Sequence, residues 1–125
     1  MRKKMKKVLI IEDEISVRTF FKTMIEKNGY QVFEAADGKQ GIRIYKENLP
    51  DLVITDLIMP EKEGIETIKD LKALNPDARI IAISGGGIND PKIYLNLAAK
   101  LGTICTFVKP VDNEILLSTI KKILS

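Results

Sequence analysis

The 125-residue chain has no histidine and no tryptophan, and its only cysteine is Cys105. Without histidine, imidazole-based catalytic triads and the common zinc sites are excluded. A single cysteine cannot form an internal disulfide, which fits a reducing cytoplasm. Any bound metal ion is therefore expected to have oxygen ligands, which favours Mg²⁺, Mn²⁺ or Ca²⁺.

Long hydrophobic runs are also missing. No apolar run approaches the roughly 20 residues that a helix needs to span a bilayer. The apolar stretch after the basic leader is about four residues long, whereas a signal peptide needs roughly 7–15. These absences predict a soluble, cytoplasmic protein that does not enter the membrane.

The net charge of +3 is unevenly distributed. Five of the 20 positive charges lie within the first seven residues, so the rest of the chain carries 15 positive and 17 negative charges. We interpret residues 1–6 as a solvated basic leader before the first strand. Beyond the leader, no basic patch interleaved with aromatic residues indicates binding to nucleic acid.

Short apolar runs alternate with helical patterns along the whole chain, which predicts five βα units. Central strands this apolar imply helices on both faces of a parallel sheet, and right-handed crossovers favour a doubly wound arrangement. The fold class is therefore α/β, a single five-stranded sheet. The flavodoxin-like strand order 2-1-3-4-5 is one of the two common solutions.

Two helix starts carry capping signals. Asp37, followed three residues later by Gln40, resembles a capping box. The helix that follows is expected to turn Ile42, Tyr45 and Leu49 inward. Asp112 is predicted to cap the last helix, whose buried stripe contains Leu116, Ile120, and Ile123 or Leu124.

Four apolar runs end in reactive polar groups. The runs 8–11, 52–55, 80–83 and 107–108 lead into Glu12 and Asp13, Asp56, Ser84 and Lys109 respectively. The carboxyl ends of parallel strands meet at one edge of the sheet, where open α/β sheets bind ligands. Three acids, a hydroxyl and an amine at that edge would suit a divalent cation and a phosphoryl group.

These residues resemble the receiver domain of two-component response regulators, from about Lys7 to Leu124. Four blocks carry the resemblance: residues 8–14, residues 51–60 with Gly64, residues 80–84, and residues 107–110. The resemblance implies one receiver domain over residues 1–125 with no output or DNA-binding domain. It also implies a phosphoacceptor signalling protein rather than a turnover enzyme.

The resemblance assigns a role to each site residue. Asp56 would accept a phosphoryl group from a phosphohistidine on a sensor histidine kinase or phosphotransfer protein. Lys109 would pair with that group, and Ser84 would be the switch hydroxyl. A downstream protein would bind the face formed by the fourth helix, fifth strand and fifth helix. Mg²⁺, with Mn²⁺ as a substitute, would be held by Glu12, Asp13, Asp56 and the backbone carbonyl of Ile58.

Two positions depart from the family pattern and leave alternatives open. Glu12 stands where aspartate is most common, so it is expected to reach the metal through water. Thr106 stands at the usual position of a switch tyrosine or phenylalanine. Both departures suit a phosphorylation-independent interaction module on the same fold. A small phosphohydrolase is a third hypothesis, although Ile58 lacks the proton-transferring carboxyl that such enzymes carry there.

Overall fold

The computed structural model describes residues 4–57, 64–85 and 91–125. Strands and helices alternate along the chain as predicted. The five strands are β1 (Lys7–Ile11), β2 (Gln31–Ala35), β3 (Leu52–Asp56), β4 (Ile80–Ser84) and β5 (Cys105–Val108). The five helices are α1 (Ile15–Lys27), α2 (Gly38–Asn48), α3 (Gly64–Leu74), α4 (Pro91–Lys100) and α5 (Asn113–Leu124).

The strands form one parallel sheet in the order β2-β1-β3-β4-β5, which confirms the predicted fold class and strand order. Strands β3 and β4 lie inside the sheet, and every residue in them is buried. Their uniform apolarity follows from this position, since both faces of a central strand contact helices. The edge strand β5 instead alternates between partly buried and exposed residues.

Alternate side chains of each strand enter two separate cores, because successive residues point to opposite faces of a sheet. Leu9 and Ile11 pack with residues of α2, α3 and α4. Val8 and Ile10 pack on the opposite face with residues of α1 and α5. Two helices therefore cover one face and three cover the other, as the doubly wound prediction requires.

The predicted helix caps are present. The Asp37 side chain accepts a hydrogen bond of 2.9 Å from the Gln40 backbone amide. The Gln40 side chain accepts in return from the amide of Ala36, one residue earlier than in the usual capping box. The Asp112 carboxylate accepts from the amides of Glu114 and Ile115 at the start of α5.

The predicted inward position of Leu49 is wrong. Its side chain is 71% exposed, while Tyr45 is buried as expected. Leu49 follows the last residue of α2 and has a left-handed backbone, with φ 48° and ψ 61°. The next residue is Pro50, which disfavours continued helix at the position before it. The chain turns at Leu49, and the turn directs the side chain outward.

No helix within the described ranges has both the length and the apolar character that crossing a membrane requires. The described helices instead contribute buried residues on one side only, for example Leu116, Ile120 and Leu124 on α5.

We expect Leu49→Gly to raise the free energy of unfolding by up to about 1 kcal/mol. A left-handed conformation costs a residue with a Cβ roughly 1–2 kcal/mol, and the greater freedom of glycine in the unfolded chain offsets part of this gain. Urea denaturation measures the change. Leu97→Gly alters an exposed leucine within α4 and should instead lose about 1 kcal/mol; equal losses in both variants would contradict strain at Leu49.

Candidate functional site

Four separate segments deliver polar side chains to the carboxyl edge of the sheet. Glu12 directly follows β1, Asp56 and Ser84 end β3 and β4, and Lys109 directly follows β5. Because β1, β3, β4 and β5 are consecutive neighbours in the sheet, these strand ends lie side by side. The strand order is thus what assembles the site.

The amine of Lys109 joins two acidic side chains. Its Nζ donates to Asp56 Oδ2 at 3.0 Å and to Glu12 Oε1 at 3.2 Å. Both carboxylates are nearly inaccessible, with side chains 6% and 4% exposed, whereas the Lys109 side chain keeps 26% exposure. A buried carboxylate without a partner is strongly disfavoured, and the shared amine compensates part of the charge of both acids.

Glu12, Asp13 and Asp56 form an acidic cluster. Each offers one carboxylate oxygen, and these oxygens all lie within 4.8 Å of one another. Asp13 is exposed, whereas the other two are buried. A set of carboxylate oxygens that is open to solvent on one side fits Mg²⁺, which binds one or two carboxylates and keeps several waters. The donor set therefore fits the predicted metal.

The pKa of Glu12 is raised from its ordinary value of 4.5 to about 7. Burial is the largest cause, followed by the negative charge of Asp56 and a hydrogen bond with Asp13. The Glu14 amide, which donates to Glu12 Oε2 at 3.2 Å, and the Lys109 charge oppose the shift. Near neutral pH, Glu12 therefore holds its proton for part of the time.

The pKa of Lys109 is raised above 10.5. Burial acts to lower it, but the hydrogen bond and charge of Asp56, together with those of Glu12, outweigh burial. The amine therefore stays positively charged under ordinary conditions, as its role as the shared partner of two acids requires.

Ser84 contributes a buried hydroxyl at the same edge. The residue is fully buried, and its Oγ has no hydrogen-bond partner within the described residues. An unsatisfied buried polar group is uncommon and calls for an explanation. Ser84 lies one residue beyond Ile83, which pairs in register with Asp56. The Ser84 backbone therefore lies at the same sheet edge as Asp56, and its hydroxyl retains a donor that no described residue uses.

Two glycines permit close backbone contacts around the site. Gly85 has φ +147°, and a Cβ built on it would lie 2.9 Å from the backbone nitrogen of Lys109. A Cβ on Gly64 would collide with the carbonyl oxygen of Asp56 and with Leu57. The Gly64 amide donates to Leu57 O at 2.9 Å, which keeps α3 against the end of β3. Only glycine permits these two approaches.

The remaining predicted features have mixed outcomes. The carbonyl of Ile58, predicted to bind metal, lies outside the described residues. The Lys109–Pro110 peptide bond is cis. Thr106 is exposed, whereas its neighbour Phe107 packs against the core on the α1 and α5 side. Phe107 is therefore a core residue and does not replace the missing switch aromatic.

Comparison with known proteins identifies the family. Residues 8–121 match the family model of the response regulator receiver domain. The chain is 33% identical to sporulation initiation phosphotransferase F of Bacillus subtilis, over 94% of this chain and 93% of that protein. It is 37% identical to the chemotaxis protein CheY of the same organism, over 95% of this chain and 98% of that protein.

Solved structures agree with this result. A receiver domain protein from Clostridium thermocellum superposes with a TM-score of 0.88 and 30% identity, covering 96% of this chain and 94% of that one. CheY4 from Vibrio cholerae superposes with a TM-score of 0.85 and 27% identity, covering 96% and 99%. Fold and site thus define a signalling domain of two-component systems. The chain belongs to the response regulator receiver domain family.

We expect the stability of the metal-free protein to fall as the pH rises from about 4.5 to about 7. A carboxyl with a raised folded-state pKa binds more protons in the folded state, so its stabilising contribution is complete at low pH and is lost through this window. Glu12→Gln removes the effect. The free energy of unfolding of Glu12→Gln minus that of the wild-type protein should rise by at most about 3 kcal/mol between pH 4.5 and pH 8.

Urea denaturation in chelator-treated buffer measures this difference at each pH. The variant Glu47→Gln, which removes an exposed carboxylate from α2, corrects for the change in net charge. A difference between Glu12→Gln and the wild-type protein that stays constant over the whole range would show that the pKa of Glu12 is not raised by folding.

We expect Gly85→Ala to lower the free energy of unfolding by about 1–3 kcal/mol more than Gly29→Ala. Both glycines have positive φ, but a Cβ on Gly29 would meet no atom within 4 Å. The matched variant therefore isolates the collision with Lys109, since overpacking typically costs 1–3 kcal/mol. Thermal and urea denaturation measure both variants; equal losses would mean that Lys109 yields without cost.

Proposed function

We propose that this chain is a phosphoacceptor domain in which Asp56 receives a phosphoryl group from a phosphohistidine on another protein. One observation carries the proposal: the Lys109 amine is shared by the buried carboxylates of Asp56 and Glu12. An amine in this position is ready to neutralise charge on a phosphoryl group attached to Asp56.

The transfer follows from the position of Asp56. A carboxylate oxygen of Asp56 attacks the phosphorus atom, the phosphorus–nitrogen bond of the donor breaks, and an acyl phosphate forms. Lys109 compensates the negative charge on the transferred oxygens, since its amine already lies 3.0 Å from Asp56 Oδ2. The donor imidazole leaves with the electron pair of the broken bond and the phosphoryl group stays on Asp56, so the domain acts as a switch and not as a turnover enzyme.

Glu12, Asp13 and Asp56 are the residues that would hold Mg²⁺, or Mn²⁺ in its place. We include the backbone carbonyl of Ile58 in this set by resemblance to the family. When bound, the ion would neutralise charge on the phosphoryl oxygens. The exposed carboxylate of Asp13 leaves an open side through which ion and phosphodonor arrive. Glu12 contributes after losing its proton, or through a bound water.

We propose that Ser84 responds to the phosphorylation of Asp56. Its buried hydroxyl, which has no hydrogen-bond partner among the residues that the structure describes, can donate to an oxygen of the phosphoryl group on Asp56. Such a bond satisfies a group that is otherwise orphaned, which gives the phosphorylated form a contact that the resting form lacks. Ser84 is the last residue of β4, so its movement would be passed along the chain toward α4.

The partners follow from chemistry and exposure. This chain has no histidine, so the phosphohistidine belongs to a sensor kinase or a phosphotransfer protein. A groove of about 310 Å³ beside Lys109, bordered by the half-exposed Phe20, gives such a protein a surface next to the site. The proposed downstream target binds the α4-β5-α5 face, where Leu97, Ile104 and Val108 are exposed.

Incubation with acetyl phosphate and Mg²⁺ tests the proposal by intact-protein mass spectrometry. We expect the wild-type protein to gain the mass of one phosphoryl group, because acetyl phosphate substitutes for the phosphohistidine donor. The variant Asp56→Asn should gain nothing, since an amide is not a nucleophile for this transfer. Removal of Mg²⁺ by a chelator should abolish labelling of the wild-type protein.

Asp51→Asn is the matched control, because Asp51 directly precedes β3 at the opposite end of the strand from Asp56. It should be labelled like the wild-type protein. Labelling that survives in Asp56→Asn would place the phosphoryl group on another residue. No labelling of the wild-type protein by acetyl phosphate, or by a phosphohistidine donor, would contradict the proposed function.

A further inference from the structure

The backbone hydrogen bonds between β1 and β2 end next to the acidic cluster. The amide of Gln31 donates to Lys6 O at the start of the ladder, and the amide of Glu12 donates to Ala35 O at its end. In a parallel ladder, the N–H and C=O of one residue point toward the same neighbouring strand. The carbonyl of Glu12 therefore faces β2 at a level where β2 has already ended.

The next backbone donor on that side would be the amide of Asp37, but this residue does not belong to β2. Asp37 is the N-cap of α2, where the chain has left the sheet. A side chain takes over the position: Arg18, on α1, donates from Nη1 to Glu12 O at 2.8 Å. The Arg18 guanidinium thus supplies the hydrogen bond to Glu12 O that a longer β2 would have donated from its backbone.

Arg18 is itself held in place. Its Nε donates to Glu34 Oε1 at 3.4 Å, and its side chain is only 15% exposed. The guanidinium carries several N–H groups in a rigid fork, so one side chain can hold a carbonyl and a carboxylate together. Arg18 therefore connects α1, the end of β1 and β2 at one point.

The carbonyl that Arg18 binds belongs to the peptide unit joining Glu12 to Asp13. A peptide unit is planar, so fixing the direction of its C=O also fixes its N–H and the two adjoining Cα atoms. These Cα atoms carry two of the three acidic side chains in the cluster. One hydrogen bond thereby helps to fix the two Cα atoms from which both carboxylates extend.

We propose that Arg18 is a positioning residue that preorganises Glu12 and Asp13 for a divalent cation through the peptide unit between them. The inference rests on the proposed function, which supplies the cation. It goes beyond it by giving a task to a residue that contacts neither Asp56 nor Lys109 within the described structure. Outer residues that orient metal ligands typically change affinity by roughly 10- to 100-fold when removed.

The sign of the effect separates positioning from simple electrostatics. Arg18 is a positive charge near a cation site, so Coulomb repulsion alone predicts that its removal tightens Mg²⁺ binding. Positioning predicts the opposite. Lys22 is the matched control, because it lies one turn along α1 and also faces Glu34, at 3.8 Å. Lys22→Gln removes the same charge from the same helix but leaves the carbonyl of Glu12 bonded.

The experiment measures Mg²⁺ binding to the full chain by isothermal titration calorimetry for the wild-type protein, Arg18→Gln, Arg18→Lys and Lys22→Gln. We expect Arg18→Gln to weaken binding about tenfold or more, and Lys22→Gln to leave it equal or slightly tighter. Arg18→Lys keeps the charge but lacks the fork, so it should bind more weakly than the wild-type protein.

A second readout needs no metal. The amide N–H of Asp13 shares the peptide plane with the carbonyl of Glu12, so loss of the Arg18 bond should shift its ¹⁵N resonance in Arg18→Gln and not in Lys22→Gln. Unchanged or tighter Mg²⁺ binding by Arg18→Gln, with normal binding by the wild-type protein, would overturn the positioning role alone. No Mg²⁺ binding by the wild-type protein would overturn the metal site of the proposed function as well.

Discussion

The ion pairing of Lys109 with Asp56 and Glu12 is the interaction on which this site depends. Two nearly inaccessible carboxylates lie within hydrogen-bond reach of one amine. Negative charges this close repel strongly where solvent screening is weak, and burial adds a desolvation cost. The Lys109 amine offsets part of this charge in the metal-free protein. The same electrostatic demand makes the edge attractive to a divalent cation and then to a phosphoryl group.

The scaffold meets this demand mainly through its backbone. The strand order places β1, β3, β4 and β5 side by side, and each strand end supplies at least one functional group. Gly85 lets the Lys109 backbone approach closely, and Gly64 does the same for the carbonyl of Asp56. The amide of Lys109 donates to Ser84 O at 2.9 Å, which ties the ends of β4 and β5 together. Close backbone contacts therefore contribute to the preorganisation of this site.

The sequence predicted the elements, the strand order and the residues that meet at the edge, because apolar runs and strand-end polar groups are local patterns. It failed where tertiary contacts decide. Leu49 continues the helical stripe of α2, yet the coming proline and the turn place it outside. In the sequence, Arg18 looks like an ordinary surface arginine. No local pattern shows that its side chain donates to the carbonyl of Glu12, beyond the end of β2. The contact of Gly85 with Lys109 likewise joins residues distant in the chain.

The surroundings of Glu12 affect the protonation of this edge. Glu12 reaches Lys109 through one oxygen and accepts the Glu14 amide through the other. Its carboxyl is thus engaged on both sides, buried, and protonated for part of the time near pH 7. A cation that recruits Glu12 must displace this proton, since metal ligands bind in their deprotonated form. Cation binding through Glu12 would therefore release a proton, and partial protonation lowers the repulsion among the crowded acids.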